Sequence, residues 1–480
     1  MEKFIGREKE LKALKTALDS DKSEFFAIYG RRRVGKTLLI RAAAQDKFCF
    51  FVTGLYERPR SEQLINFAIA LQRYFHTSEL PLKKNWPLAF YELSKYLESL
   101  PEGKKIVFID ELPWMDTPKS GFVSALDNFW NGWAVLRDDI KLIVCGSATS
   151  WMLDNVIHET GGLHKRLTGS MQVLPLNLRE MEFFLREKGF SYSRRQICEC
   201  YMIMGGIPYY LSLLDKGQSV SQNTDRLFFA EDAPLKGEFK EIFQALYRKS
   251  ENHKKIMAAI ATKGIGVTRQ ELLALSGLEN NGAFSKMLEE IEECGFIRSY
   301  EPFGNPRRDG DEREKTNTLY QMVDPFSLFH HRFICENRYN DPHYWSSNFN
   351  SPVHSTWTGL AFEMLCLNHL SEIKRALGIW GVQSLSCSWR SRGKAQIDLL
   401  IDRKDETISI CEMKYCNDEY VFTEDEATKL MRRINTFVEE TGTRKSIITT
   451  LVTTFGLKSN AHSEQIQSVV TLDHLFGDNL

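Results

Sequence analysis

Residues 30–37 read GRRRVGKT and have the glycine spacing of a phosphate-binding loop. An apolar run at 25–30 precedes them and a helical pattern at 36–45 follows, so a strand, loop and helix are predicted. Glycines let backbone amides point at phosphate oxygens, and the helix N-terminus adds its dipole. Lys36 would neutralise the terminal phosphates of ATP, and the Thr37 hydroxyl would hold Mg²⁺. The predicted phosphate-contacting residues are Gly30, Arg31, Arg32, Arg33, Val34, Gly35, Lys36, Thr37 and Leu38.

Two carboxylates follow the apolar strand predicted at 106–109, namely Asp110 and Glu111. Asp110 would hold Mg²⁺ through water, and Glu111 would polarise the water that attacks the γ-phosphate. The alternative is two acids that only cap a strand. Downstream of a phosphate loop, the pair predicts Mg²⁺-dependent ATP hydrolysis.

A second group of acids lies near the C-terminus. Asp398 falls in an apolar run at 395–401, and Glu412 and Lys414 end another at 408–414, so the two runs predict a hairpin with a turn at 402–406. If Ile401 faces Thr407, Asp398 lies opposite Ile410 and is diagonal to Glu412 on the same face. These carboxylates, with Lys414 beside them, would hold Mg²⁺ and activate a water. A register slip of one residue would place the acids on opposite faces.

The residues around the phosphate loop resemble the AAA+/STAND group of P-loop ATPases over 4–214. The opening FIGRE at 4–8 is similar to the element that borders the adenine in that group. The strand at 142–145, followed by Ser147, is similar to the sensor-1 position, and the resemblance implies that Ser147 reads the γ-phosphate.

Two further residues take their predicted roles from the same resemblance. Arg166, in GGLHKR, occupies the place of an arginine that completes a neighbouring subunit's site, which implies a homo-oligomer; a surface salt bridge is the alternative. Pro208, in GGIP, is similar to an element of the helical lid that packs on the nucleotide base.

The terminal pattern resembles the PD-(D/E)XK nuclease superfamily. Asp398 and the Glu412-x-Lys414 motif carry the resemblance, which implies that Glu363, on a helix predicted to begin near 358, assists the metal. Ile397 stands where a proline is common. Two alternatives to an active nuclease remain. In the first, the charged residues only solvate the ends of the strands, and in the second, the domain keeps the nuclease fold without its activity. The whole chain resembles a family of archaeal-type ATPases with a winged helix and such a terminal domain.

The elements that must position these residues fall into three predicted regions. Residues 1–215 alternate strands and helices, which predicts a parallel P-loop α/β sheet with a helical lid. Residues 216–323 predict a winged helix-turn-helix, with helices near 256–260, 268–275 and 281–294 and a charged loop at 305–318. Residues 324–480 predict a restriction-endonuclease-like α/β domain.

Composition limits the partners and the compartment. The chain has 480 residues, a formal net charge of −1 and a charged fraction of 26%. Any binding of nucleic acid must therefore depend on a local basic surface. We expect no membrane span and no secretory signal, and hence a cytoplasmic protein. Ten cysteines form no CxxC pair, and the pair His330 and His331 is expected to pack rather than bind metal.

The predicted function is an ATP-hydrolysing switch that controls a DNA-directed, Mg²⁺-dependent nuclease. The rival is a non-cleaving switch or scaffold that binds a protein partner or DNA. A transcriptional regulator that acts through the winged helix ranks lowest, because it leaves Asp398, Glu412 and Lys414 unexplained.

Overall fold

The computed structural model describes residues 4–147, 149–157, 166–247, 250–263, 266–304, 318–391 and 395–477. The chain falls into two units. The first contains Met1–Pro175 with Ile242–Arg248, and the second contains Leu176–Glu241 with Lys249–Leu480.

The first unit is built on a five-stranded sheet in which every pair of neighbouring strands is parallel. The strand order β2-β3-β4-β1-β5 places β4 between the strand before the phosphate loop and the strand before the acids. Its strands are β1 Glu24–Tyr29, β2 Phe50–Thr53, β3 Lys105–Asp110, β4 Ile140–Gly146 and β5 Gly169–Gln172. This confirms the parallel α/β fold predicted from the alternating pattern.

Helices cover this sheet because its apolar strands must be buried on both faces. The core joins strand and helix side chains, among them Phe25, Phe67, Trp86 and Trp130, all of which are buried. The helices are α1 Glu8–Asp19, α2 Lys36–Ala44, α3 Arg60–Phe75, α4 Trp86–Ser99, α5 Leu112–Met115, α6 Phe122–Gly132 and α7 Thr149–Met152. Asn85 shows how the sequence starts one of them: its side chain accepts a hydrogen bond from the Leu88 amide and caps α4.

The next helices begin the second unit, except that α12 from Ile242 onward belongs to the first, and they lead into a small sheet of order β6-β8-β7. Capping boxes at Asn177, Ser193 and Thr268 start α8, α9 and α14, whose bounds follow. The elements are α8 Leu178–Glu187, α9 Arg194–Met204, α10 Pro208–Ser212, α11 Val220–Thr224, α12 Glu238–Leu246, α13 Glu251–Thr262, β6 Val267–Thr268, α14 Arg269–Ser276, α15 Gly282–Glu293, β7 Ile297–Tyr300 and β8 Leu319–Met322. Of the predicted loop at 305–318, residues 305–317 lie outside the described residues.

The C-terminal part of the second unit is a mixed five-stranded sheet of order β13-β12-β11-β10-β9. Strands β9, β10 and β11 pair antiparallel, and β11, β12 and β13 pair parallel. The elements are α16 Pro325–Phe329, α17 Tyr344–Ser347, α18 Pro352–Asn368, α19 Leu370–Ala376, β9 Ser384–Arg390, β10 Gln396–Arg403, β11 Thr407–Lys414, α20 Glu424–Thr441, β12 Ser446–Thr453, β13 Ser468–Thr471 and α21 Leu472–Leu475.

The hairpin of β10 and β11 corrects the predicted register. Leu399 pairs with Cys411 and Ile401 with Ser409, so the prediction that Ile401 faces Thr407 and Asp398 faces Ile410 is wrong by two residues. The strands run further into the turn than expected, and Glu406 takes a positive φ of 59° that closes the short loop 404–406. A slip of two preserves the face of each side chain.

The helix that carries Glu363 also begins earlier than predicted. Ser351 caps it by accepting from the His354 amide, and Pro352 occupies its first turn, so α18 starts at Pro352 rather than near 358. Across the described parts of the chain, every helix is too short or too polar for a bilayer span.

Candidate functional site

The phosphate loop joins β1 to α2, and its backbone conformation restricts which residues can occupy several of its positions. Gly30 has a φ of 141°, and a Cβ there would lie 2.3 Å from the Val173 carbonyl oxygen, so a side chain is excluded. Arg33 and Gly35 also have positive φ values, 71° and 92°. The nine predicted residues thus form one curled loop and the first turn of a helix, the arrangement that turns amides toward an anion.

Lys36 and Thr37 are held in place by neighbours on this loop and on β3. The ammonium of Lys36, which is buried, donates to the carbonyl oxygens of Gly30 at 2.8 Å and Arg31 at 2.9 Å. The hydroxyl of Thr37 donates to Asp110 Oδ2 at 3.0 Å. The fold therefore brings a fixed cation, a hydroxyl and a carboxylate to one place.

Asp110 and Glu111 lie at the end of β3 in different surroundings. Burial, with the nearby Glu111 charge, raises the pKa of Asp110 above its usual value, so a cation beside it would favour the charged form. Glu111 has a φ of 47° and accepts from the Ser147 hydroxyl at 2.7 and 2.9 Å and from the Ser147 amide at 3.1 Å. Ser147, expected to read the γ-phosphate, contacts Glu111 in this structure.

Arg7 is a residue of this site that the sequence reasoning did not assign. It is buried and donates to the carbonyl oxygens of Val34 at 3.1 Å and Leu174 at 2.6 Å. The arginine of the FIGRE stretch thus fastens the phosphate loop to the segment after β5. The resemblance of FIGRE at 4–8 indicated this segment, but the local sequence does not indicate the partners of the Arg7 side chain.

Arg166 and Pro208 have local contacts that leave their predicted roles as predictions, and the contact of Arg166 is the surface salt bridge given as its alternative. Arg166 is exposed and forms an ion pair with Asp127 at 3.5 Å in its own chain. Pro208 begins α10, just after a close approach in which a Cβ on Gly206 would lie 1.7 Å from the Leu176 carbonyl oxygen. Pro208 belongs to the second unit, whereas the phosphate loop belongs to the first.

The terminal acids meet on one face of the C-terminal sheet. Continuing the observed pairing by one residue places Asp398 opposite Glu412, and Lys414 follows on the same side of β11. Helix α18 packs on β11 and brings Glu363 to this group. The four predicted residues are therefore neighbours, and the two-residue slip brings the two strand acids closer than the predicted diagonal.

The charges of this cluster depend on one another. Burial, then Asp398 and Glu412, raise the pKa of Glu363 from 4.5 to about 8, while Lys414 opposes the shift. Burial also raises the pKa of Glu412, and Arg433 is the largest opposing influence. Like charges that raise one another's pKa values are a feature of sites that hold a cation or transfer a proton.

Two partners of the acids were missed from the sequence. Gln396 donates to Asp398, and Arg433 of α20 forms an ion pair with Glu412. Gln396 is two residues before Asp398 on the same strand, so strand alternation could have identified it. Arg433 is far along the chain, and its sequence position gives no such signal.

The carboxylate oxygens of the acidic cluster do not all lie within 4.8 Å of one another. Within the described ranges, three ligand atoms that close belong to His330, His331 and Cys335. A Mg²⁺ ion needs only one or two carboxylates because it keeps several waters, so Asp398 and Glu412 still fit one.

Comparison with known proteins bears on the part of the chain that carries the phosphate loop. Residues 4–214 match the family model described as an ATPase domain predominantly from Archaea. The match supports a P-loop ATPase domain over these residues, and such a domain implies nucleotide binding.

Two curated proteins and one solved structure are similar to parts of this chain. The chain is 27% identical over 342 residues to the "Uncharacterized protein MJECL04" of Methanocaldococcus jannaschii, covering 70% of this chain and 69% of the relative. A shorter match, 41% identical over 44 residues, joins 9% of this chain to 75% of the "Uncharacterized ATP-binding protein MJ0423" of the same organism. The solved structure of the Walker-type ATPase PABY2304 of Pyrococcus abyssi aligns with a TM-score of 0.50 and 21% identity, covering 68% of this chain and 96% of that one, and supports the fold.

Proposed function

We propose that the protein hydrolyses ATP as a molecular switch and that residues 1–215 contain the ATP site with its lid. The observation that carries the proposal is the meeting of Lys36, Thr37 and Asp110 at the end of the parallel sheet. These groups offer one cation for phosphate, and one hydroxyl and one carboxylate for a hydrated Mg²⁺.

Each residue has a task in this proposal. Mg²⁺, when bound, would neutralise charge that develops on the phosphates. Thr37 and Asp110 would hold it, Lys36 would exchange its loop carbonyls for phosphate oxygens, and Glu111 would orient the attacking water. Ser147 holds Glu111 through its hydroxyl and amide, so it would position that base.

The ATPase proposal predicts Mg²⁺-dependent release of phosphate from ATP by the purified protein. Thr37→Val keeps the size of the side chain and removes the hydroxyl, so it should lower turnover more in limiting Mg²⁺ than in excess. The control Thr16→Val removes a hydroxyl that bonds only within α1 and should leave turnover unchanged. Phosphate release that is independent of Mg²⁺ would contradict the proposal.

A second function, metal-dependent cleavage of DNA, is proposed for residues 324–480. It is favoured by the opposition of Asp398 and Glu412 beside Lys414, and by the raised pKa of Glu363. A restriction-endonuclease-like domain is supported by the antiparallel β9-β10-β11 meander, followed by α20 and the parallel β12. Lys414 would stabilise charge that develops on the scissile phosphate.

A contact within the second unit offers a route from the predicted lid to these acids. Arg195 of α9 donates to Asn417 and stacks over Tyr415, which are just beyond Lys414 on the chain. Arg194 also pairs with Asp473 at 2.9 Å. A nucleotide-dependent shift of α9 would therefore reach the end of the strand that carries Lys414.

DNA is the proposed partner of residues 216–323 as well. The order of α13, β6, α14, α15, β7 and β8 supports a winged helix, in which α15 would face the major groove. Near its start, Lys286 is exposed, whereas Arg269 is bonded to Asn280 and Ser285. Binding through Lys286 alone would be weak, so the wing or a second copy would have to contribute.

The nuclease proposal is tested by incubating the protein with linear, circular and single-stranded DNA, with Mg²⁺ or Mn²⁺, with and without ATP. Cleavage that requires the metal supports it. If no nucleic acid is cut in any nucleotide state, the rival function, a non-cleaving ATP switch or scaffold with a protein partner, takes its place.

A further inference from the structure

A cluster of nitrogen and sulfur ligands lies at the π-helical turn His330–Ile334 that follows α16. The wider turn places Cys335 over His330, with the Cys335 amide bonded to the His330 carbonyl at 2.9 Å. Their side chains meet as well, with Cys335 Sγ 3.3 Å from His330 Nε2. The adjacent His331 completes a group whose ligand atoms all lie within 4.8 Å of one another.

These separations suit ligands that share one tetrahedral ion. Bonds of about 2.0 Å to nitrogen and about 2.3 Å to sulfur put two zinc ligands about 3.5 Å apart. The observed separation of 3.3 Å between Sγ and Nε2 is close to that value. Two imidazoles and a thiolate are also a ligand set that selects zinc and similar transition metals over Mg²⁺.

The rings carry polar atoms for which the surrounding protein offers no partner. His330 Nδ1 and His331 Nε2 are buried without a hydrogen-bond partner. Phe239 covers one side, its ring stacked on His330 with centroids 4.2 Å apart. A buried polar atom without a partner is destabilising, so a bond from His331 Nε2 to a metal would remove a penalty. His330 would bind through Nε2, the ring nitrogen beside Cys335 Sγ.

Access to the cluster is open on the thiol side. Cys335 is exposed, while the other nine cysteines, all within the described ranges, are buried or half-buried. An ion could therefore enter beside Cys335, and a water would fill the fourth position.

We propose that His330, His331 and Cys335 bind one Zn²⁺ ion. Binding forms a Zn–S bond, and the thiol proton of Cys335 passes to solvent, so affinity rises with pH. The sequence alone favoured packing for His330 and His331, because Cys335 joins them only through the π-helical turn.

The first test measures the thiol of the unaltered full-length protein. Alkylation of Cys335 by iodoacetamide is followed by peptide mass spectrometry with and without Zn²⁺, with Cys49 and Cys416 as internal controls. We expect Zn²⁺ to slow the modification of Cys335 about tenfold or more and to leave the controls unchanged. Equal rates at Cys335 with and without Zn²⁺ overturn the proposal.

The second test uses Co²⁺ as a coloured substitute for Zn²⁺. The wild type and the control Cys416→Ser should show a thiolate-to-cobalt charge-transfer band, and Cys335→Ser should not. His331→Asn should weaken Co²⁺ binding by more than about tenfold, because lost outer-sphere partners alone cost about 10–100-fold. His343 is exposed, and His343→Asn serves as the matched control for His331→Asn. A band of the same intensity in Cys335→Ser overturns the proposal even if alkylation is slowed.

Discussion

Substitutions at Lys36 and Glu111 should separate nucleotide binding from turnover. Both side chains are predicted to act on ATP, but they have different contacts. Lys36 donates to carbonyl oxygens of the phosphate loop, whereas Glu111 accepts from Ser147. Lys36→Ala therefore removes the cation for phosphate. Glu111→Gln leaves the loop intact and retains a group that can bond to Ser147.

The magnitudes follow from these contacts. Lys36 has two hydrogen-bonding partners in the loop that phosphate oxygens would replace, and a hydrogen bond to a charged group contributes about 1.5–3 kcal/mol. Losing one such bond weakens ATP binding roughly tenfold and losing two roughly a hundredfold or more, at about 1.4 kcal/mol per factor of ten. A general base contributes about 10²–10⁴-fold to turnover, so Glu111→Gln should lower kcat by that factor.

The assay pairs a fluorescent-ATP titration with measurement of phosphate release. Glu111→Gln should keep its Kd within about threefold of the wild type, which is under 1 kcal/mol. Glu102→Gln, an exposed acid in the same unit, is the control and should change neither value. Equal loss of binding in the Lys36 and Glu111 variants, or full turnover in Glu111→Gln, would refute the assigned roles.

Three further outcomes test the remaining sites. If Arg166 leaves its ion pair with Asp127 to act in a neighbouring subunit, mixing Arg166→Ala with Lys36→Ala protein should restore some ATPase activity, and a protein that stays monomeric with ATP would exclude this role. Asp398→Asn and Lys414→Ala should each abolish DNA cleavage while leaving phosphate release intact, and cleavage that persists in both would remove the cluster from the reaction. The pKa of Glu363 is raised from 4.5 to about 8, so its contribution to stability is present below pH 4.5 and is lost as the pH rises to 8. At pH 8, the free energy of unfolding of Glu363→Gln should therefore exceed that of the wild type by on the order of 4 kcal/mol, as measured by denaturant titration. This difference in unfolding free energy should shrink toward pH 4.5 and on addition of Mg²⁺. A difference that is independent of pH would refute the coupling.

The meeting of the phosphate loop with the acids at the end of β3 could be predicted because each motif is local in sequence. The phosphate loop, from Gly30 to Thr37, is continuous in sequence, and the acids follow a strand whose apolar residues mark it as buried. Parallel strands present their carboxyl ends at one edge of a sheet, so the two motifs had to meet there. Asp110 and Thr37 do meet, at 3.0 Å.

The shared face of the terminal acids was predicted although the strand register was not, because a slip of two residues leaves each side chain on the same face. The pairing of Leu399 with Cys411 differs by two residues from the predicted one, yet Asp398 and Glu412 share a face because side chains alternate with a period of two. The turn at 404–406 decided the actual register. Turn length depends on a backbone conformation, the positive φ of Glu406, that its sequence does not specify.

The sequence by itself determined where most strands and helices lie, which loop has the phosphate-binding pattern, and which acids share one face of a hairpin. Those properties depend on neighbours within a few residues, through hydrogen-bond pattern, side-chain alternation and helix capping. Only the tertiary structure decided that Arg7 fastens the phosphate loop, that Ser147 holds Glu111 and that Arg433 pairs with Glu412. It likewise decided that the π-helical turn brings Cys335 to His330. Such contacts depend on how packed elements meet, and the free energy that selects among packings is a sum over the whole core rather than over any stretch of sequence.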